Sequence, residues 1–358
     1  RISYGPLSRE LEARFAALHN CRFAVLSNSG TSSLQVALQS LKELHGWKDG
    51  DEILVPAVTF VATVNIVLHN NMVPVLVDVD PQYYDMVPSN AVQAVTPRTR
   101  AMIPVHLFGQ PAYMKWLADL NLPMIEDSCE TMFVSHAGRM VGSWGEVGCF
   151  SMYVAHLLTA GVGGIATTDN PDVAAKMRSL VNHGRDGIYI SIDDDKGVDN
   201  LQEVIERRFN FESIGHSFRI TELEAAIALG QLDNWAKMIE KRQQNASYLT
   251  DNLRDLRGHL QLPATRSSSE HAYMMYPLVS LHADKWDVCT HLEEAGVETR
   301  EMLRLTDQPV YADLWDPTDY PVATWLNKRG FYVGCHQDLE QQDLDRIIEV
   351  LHDYFQKA

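Results

Sequence analysis

His156 lies in GCFSMYVAHLLTAGVGG, Gly148–Gly164, a stretch laid out for chemistry at the end of a strand. Val147–Ser151 reads as a buried strand, a turn carries His156 at its apex, and a glycine run leads into a second strand, Ile165–Thr168. An imidazole titrates near neutral pH and can take up or deliver a proton. It cannot form a Schiff base, and between Lys115 and Lys176 the chain contains no lysine that could. The chain holds 14 histidines, so for any one of them a packed or capping role is the alternative.

Three further segments carry groups of matching chemistry. SNSGTSSL, Ser27–Leu34, joins a short strand, Arg22–Leu26, to a helix with Leu34, Ala37, Leu38, Leu41 and Leu44 on its apolar face. Unpaired amides and the helix dipole make such a turn a ready site for phosphate, although a Ser/Thr cap on any helix looks the same. Asp127 follows Met-Ile-Glu at the end of an apolar strand, where an acid either caps a turn or faces a ligand. Phe60, after PAVT, reads as core or as a ring at a ligand.

The elements that must position these groups alternate along the chain. Strands are predicted at Ile53–Pro56, Val73–Asp78, Ala101–Val105 and Pro123–Glu126, with helices from about Phe60, near Ser89–Val95 and over Tyr113–Leu120. Val/Ile/Leu-rich strands separated by helices indicate an α/β protein with a mostly parallel sheet covered on both faces. Ligands sit beyond the carboxyl ends of such strands, where Phe60, Asp127, Ser151 and His156 all fall. Past Asp172–Asn182, a helix, comes a loop-rich stretch, Gly184–Glu203, and then helices Thr221–Trp235 and Lys237–Leu256. After the polar linker Pro263–His271 the pattern changes to strands such as Ala272–Ser280 with helices Lys285–Glu294 and Gln342–Phe355. This predicts a large domain over 1–237, N-terminal helix Ser8–His19 included, and a smaller C-terminal α/β domain over 238–358.

A net charge of -17 argues against nucleic acid as a partner. Five cysteines, Cys21, Cys129, Cys149, Cys289 and Cys335, are widely spaced without a CxxC or CxC pair, which suits free thiols rather than a disulfide framework or a metal site. No span approaches the ~20 apolar residues that cross a bilayer. The charged, helical N-terminal pattern is not that of a signal peptide, and a cytoplasmic protein is expected.

In matching order, NSGTSS, PAVTFVAT, IEDSCETM and CFSMY, with SYGPLSRELEARFA and GFYVGCHQDLE near the two ends, resemble the DegT/DnrJ/EryC1/StrS sugar aminotransferases. The resemblance implies the aspartate-aminotransferase fold (fold type I), pyridoxal phosphate (PLP) or pyridoxamine phosphate (PMP) as cofactor, and a homodimer with shared active sites. His156 stands where that family holds its PLP-bonding lysine, a replacement that marks the 4-keto-6-deoxyhexose 3-dehydratase branch. Carried over position by position, Gly30, Thr31, Ser32 and Ser151 are the phosphate cup. Phe60 is the stacking ring, Asp127 the partner of the pyridinium nitrogen, and Glu130 part of the same E-D-x-C-E-x-M setting. Ser217 and Arg219 reach the neighbouring subunit's cofactor.

Two positions depart from the family pattern, GVGG with Val162 for the usual Glu, and GHSF with Ser217 for the usual Asn. PVHLFGQPAYM, Pro104–Met114, is similar to the aminotransferase branch instead. No iron-sulfur cluster is expected, because the subgroup that holds one has two cysteines one residue apart. The resemblance implies an enzyme that takes a nucleotide-linked 4-keto-6-deoxyhexose and glutamate, removes the C3 hydroxyl with His156 as base, and releases ammonia. Two alternatives stand beside it, a nucleotide-sugar aminotransferase and a non-catalytic homologue that only binds the sugar nucleotide or PLP.

Overall fold

A computed structural model describes residues 2–186, Gln202, Arg207 and 209–357. The expected loop over 184–203 lies, beyond Asp186 and apart from Gln202, outside the described residues. The first helix, α1 (Pro6–Leu18), opens on a proline that fits the first helical turn. Its free amides are closed from a distance, as the Glu222 carboxylate accepts from the backbone of Gly5, Leu7 and Ser8 and from the Ser8 hydroxyl. A buried carboxylate thus ties the N-terminus to a helix more than 200 residues away in sequence.

Strand β1 (Phe23–Ser27) leads into α2 (Gly30–His45), capped by the Ser29 hydroxyl and ended by Gly46 in the left-handed region at φ 68°. The alternation continues through β2 (Glu52–Pro56), α3 (Val61–His69), β3 (Val73–Val77), α4 (Pro88–Ala94), β4 (Thr99–Met102), α5 (Met114–Ala118) and β5 (Ile125–Asp127). A small hairpin, β6 (Ser135–His136) and β7 (Arg139–Met140), was not expected. Then come β8 (Val147–Ser151), β9 (Gly164–Thr168) and α6 (Pro171–Val181).

A four-stranded group β1-β9-β8-β5 and a three-stranded group β3-β2-β4 form one sheet, because bridges Met102–Met124 and Val105–Asp127 join β4 to β5 in parallel. Only β9 runs antiparallel to its neighbours, pairing with β1 on one side and β8 on the other. The remaining pairs, β5 with β8 and β2 with β3 and β4, are parallel. The carboxyl ends of β5 and β8 therefore open on the same edge, with Asp127 and Ser151 at their tips.

Beyond Thr221, whose hydroxyl forms a capping box with Glu224, lie α7 (Glu222–Leu232) and α8 (Trp235–Asn252). A second sheet is antiparallel, ordered β10 (Leu260–Gln261), β11 (Met275–Ser280), β13 (Gly330–Gly334), β12 (Thr299–Glu301). Helices α9 (Lys285–Glu294), α10 (Pro321–Arg329) and α11 (Gln341–Lys357) complete the chain. Two large apolar cores flank the big sheet, and a third, with Leu249, Leu278, Val288, Phe331 and Leu351, fills the C-terminal part. Helix α8 runs unbroken through position 238, and Met302, Leu305 and Tyr311 pack into a core of the large sheet.

Candidate active site

Asp127 ends β5 with its side chain buried. One carboxylate oxygen accepts from the Thr63 hydroxyl at 2.8 Å and the other from the Cys129 amide at 3.2 Å. The Thr63 hydroxyl is 2.8 Å from that of Thr59, so a short polar chain runs from the end of β2 to the acid. Both oxygens are thus oriented, and a carboxylate fixed at a strand tip can hold a proton on a facing group.

Phe60 caps α3 from the same edge and is 57% exposed. A core role is excluded for it, since an exposed phenyl beside a buried carboxylate leaves its face free. Three residues on, Thr63 carries the hydroxyl that holds Asp127. The one sign of this contact in the sequence is a polar residue on the buried side of an apolar helix.

The start of α2 comes against the same strand tips. A methyl group added at Gly30 would stand 2.7 Å from both the Cys129 sulfur and the Ser151 Cβ, so only glycine permits this approach. At Gly164, in the glycine run, an added Cβ would collide with the Ser29 carbonyl. Within the helix start, the Ser32 amide donates to the Ser29 hydroxyl at 3.0 Å and the Ser32 hydroxyl to Asn28 at 2.7 Å. Ser32 is engaged inside the chain, whereas Gly30 and Thr31 lead the helix with amides that have no intrahelical partner. Ser151, buried at the tip of β8, accepts from the Tyr153 amide at 3.3 Å.

His156 lies five residues beyond Ser151 in a turn closed by its own amide on the Tyr153 carbonyl at 2.9 Å, half-buried, with the His156 and Tyr153 ring centroids 6.0 Å apart. Burial pushes its pKa down to about 4, opposed only by the Ser151 backbone. The imidazole is therefore neutral at pH 7. Its Nδ1 is buried without a hydrogen-bond partner. A neutral ring with one free nitrogen is a competent proton acceptor.

Glu130 accepts from the Phe108 amide at 2.9 Å. Burial raises its pKa to about 7, with the Phe108 amide lowering it and the charge of Asp127 raising it. Ser217 and Arg219 stand apart from this cluster on the surface. The Arg219 guanidinium donates to the Ser217 hydroxyl at 2.9 Å and to Asn182, and the segment joins the rest through the Asn28 amide, which donates to Phe218 at 2.7 Å. His106, in the HLFGQP segment, is fully buried and serves the scaffold. Its Nδ1 accepts from the Ala112 amide, so Nε2 carries the hydrogen it donates to Glu126 at 3.0 Å. All five cysteines are free, and among the described residues no cluster of three or more His, Cys, Asp or Glu is placed to hold a metal.

An oriented carboxylate, an exposed ring, a helix start narrowed by Gly30 and an unpartnered buried imidazole nitrogen fit a flat, phosphorylated heterocycle such as PLP or PMP. The fold defines the class, PLP-dependent enzymes of fold type I. The chain belongs to the DegT/DnrJ/EryC1/StrS aminotransferase family, whose family model matches residues 1–352. It is 30% identical to a GDP-perosamine synthase of Caulobacter vibrioides over 98% of this chain and 90% of that protein. With a dTDP-4-dehydro-2,6-dideoxy-D-glucose 3-dehydratase of Saccharopolyspora spinosa it shares 29% identity over 100% of this chain and 82% of the relative. The structure of S. venezuelae DesV in complex with a ketimine intermediate superposes with a TM-score of 0.88 at 27% identity, covering 100% of this chain and 91% of that one. Family membership implies an enzyme that uses PLP or PMP.

Proposed function

We propose that the protein removes the C3 hydroxyl of a nucleotide-linked 4-keto-6-deoxyhexose, with glutamate as amine donor and ammonia released. One observation carries this reading. The reactive turn presents a neutral imidazole with Nδ1 buried and free, and no lysine occurs between Lys115 and Lys176. Such a group moves protons but cannot bond the cofactor covalently. When bound, PLP or PMP supplies an electron sink. Asp127, fixed by Thr63 and Cys129, would keep the ring nitrogen protonated, Phe60 would cover a ring face, and the Gly30 and Thr31 amides with Ser151 would hold the phosphate, with Ser32, bonded to Ser29 and Asn28, turning its hydroxyl to the phosphate only by giving up Asn28. Glu130 would support this setting from beside Asp127, and Ser217 with Arg219 would face the cofactor of a second subunit.

In this reading His156 takes a proton at Nδ1 and, as imidazolium, delivers it to the departing C3 hydroxyl, which leaves as water. Glutamate is oxidised to 2-oxoglutarate, the sugar is reduced at C3, and water releases the nitrogen as ammonia. The homodimer is proposed on the rim of the site, where Phe60, Tyr153, Val154 and Val162 are all exposed apolar side chains that a second copy would cover. The division into a large cofactor-binding unit, 1–237, and a small C-terminal unit, 238–358, is proposed on the separation of the two sheets.

A second reading, a nucleotide-sugar aminotransferase, is favoured by the similarity to GDP-perosamine synthase. One incubation separates the two, with PLP, glutamate and a panel of nucleotide-linked 4-keto-6-deoxyhexoses in deuterated water. Dehydration gives ammonia and 2-oxoglutarate in equal amounts and a product with deuterium in place of oxygen at C3. A 4-amino sugar that keeps its C3 hydroxyl would overturn the dehydratase reading. Borohydride provides a further check, since it should fix no pyridoxyl group to any lysine of the protein.

A further inference from the structure

We propose that the C-terminal part carries a second anion site, distinct from the His156 site, that takes a nucleoside diphosphate. A cavity of about 490 Å³ lies where the ends of α9 and α10 meet, and its lining includes the cations Lys285, Arg304, Lys328 and Arg329, the carboxylates Asp284 and Asp307, and the Trp286 indole. It opens beyond Ser280 of β11 and before Gly330 of β13. The other end of this strand pair, Met275 with Gly334, adjoins Phe108 and through it Glu130. A strand of this length spans roughly 20 Å, so the cavity is turned away from Asp127.

Its charge is out of balance with the molecule. Four cations meet two carboxylates in its lining, a local excess of positive charge in a chain of net charge -17. Lys285 is only 1% exposed, and its ammonium donates to the Asn327 carbonyl at 2.7 Å and to Glu301 at 3.4 Å, which leaves one of its three hydrogens unused. Glu301 must also serve Arg304 at 3.1 Å. Arg329 spends one donor on the Ala283 carbonyl, and neither Arg329 nor Lys328 has a carboxylate within ion-pair distance among the described residues. Asn327, 2% exposed, keeps its Oδ1 without any donor, and Arg304 Nε makes no hydrogen bond, its nearest oxygen being that of Asp307 at an ion-pair distance of 3.6 Å. Buried polar groups are rarely left so, and here both kinds remain, a donor and an acceptor.

The ligand would therefore bring negative charge for Lys328 and Arg329, and a further acceptor for Lys285 and Arg304, which share Glu301. Trp286, 53% exposed with the Lys285 ammonium 4.7 Å from its ring, offers an indole face beside those cations. A phosphate chain on the cations with a base on the indole matches both, and the cavity has the volume of a small-molecule site.

Calorimetric titration of the cofactor-loaded protein with GDP, with ADP and with inorganic pyrophosphate tests this. Lys328→Glu should bind one fewer nucleoside diphosphate per chain than the natural protein, while its dehydration rate at saturating substrate is unchanged. Arg304→Gln should weaken the same site by about tenfold. Trp286→Ala should weaken nucleotide binding about tenfold and leave pyrophosphate binding alone. Identical isotherms for the natural protein and both charge variants would overturn the site, and pyrophosphate binding as tightly as GDP and ADP would overturn the nucleoside assignment.

Discussion

At His156 a desolvated ring changes what the residue can do across pH. An ordinary histidine loses its power to accept a proton as pH falls through 6.5, whereas burial brings this one down to about 4. The neutral, accepting form therefore persists between those values. In a pH profile of single-turnover dehydration, the acid limb assigned to His156 should lie near pH 4 rather than near 6.5, and His156→Gln should abolish turnover while retaining PLP. Thr63 belongs to the same scale, because its hydroxyl is one of two donors that orient Asp127. Thr63→Val keeps the shape and removes one charge-assisted hydrogen bond, so turnover should fall by about tenfold to a hundredfold with the fold intact by circular dichroism. Asp127→Asn should cost more. Equal rates for natural protein and Thr63→Val would separate Thr63 from the chemistry.

Among the elements, the start of α2 is the tightest joint of the site. It reaches the tips of β5 and β8 only because Gly30 has no side chain. Gly30→Ala must push either the Cys129 sulfur or the β8 backbone aside, an overpacking that costs about 1–3 kcal/mol. Chemical denaturation should report that loss, and the dissociation constant for PLP should rise, since the helix start would be displaced from Ser151. A substitution with unchanged midpoint and unchanged PLP affinity would mean that the close approach is not needed for the site. The element order was legible because local patterns carry it. The run Val147–Ser151 coincides with β8 and Lys285–Glu294 with α9, for in both the apolar spacing begins and ends at turn formers. Ala101–Val105 matched less well, as β4 spans Thr99–Met102 and the chain continues through Val105 by a single bridge to Asp127.

For the whole molecule, buried histidines set the response to acid. His19 is enclosed by Phe15, Phe133 and Phe150 and has a pKa near 4, and His271, stacked on Tyr273 at 3.8 Å, falls to about 3, in each case through burial. In the unfolded chain both take up a proton near 6.5, so between there and about 4 the unfolded state binds more protons and stability falls as pH falls. Each contributes a loss on the order of 3 to 5 kcal/mol when complete. Asp85 and Glu130, raised by burial to about 6 and about 7, act with the opposite sign, becoming costly as pH rises. The difference between variants isolates one group. Denaturation free energies for the natural protein and His271→Gln, measured from pH 7 to pH 4.5, should diverge in slope, with the variant less sensitive to acid. Parallel slopes would show that His271 titrates alike in the folded and unfolded chain.

Sequence alone determined the alternation of strands and helices, the strand-end positions of Asp127, Ser151 and His156, and the absence of lysine from the reactive turn. Those are properties of local spacing and of residue identity, which no partner can change. Tertiary structure decided that β9 runs antiparallel in an otherwise parallel sheet, and that the Thr63 hydroxyl and the Cys129 amide hold Asp127 from two sides. It also assigned His106 to the scaffold and exposed Phe60 to the site. It alone brought Lys285, Arg304 and Lys328 around one cavity. Such facts depend on which distant segments pack together, and packing is fixed by the burial of surfaces far apart in the chain rather than by any neighbouring residue.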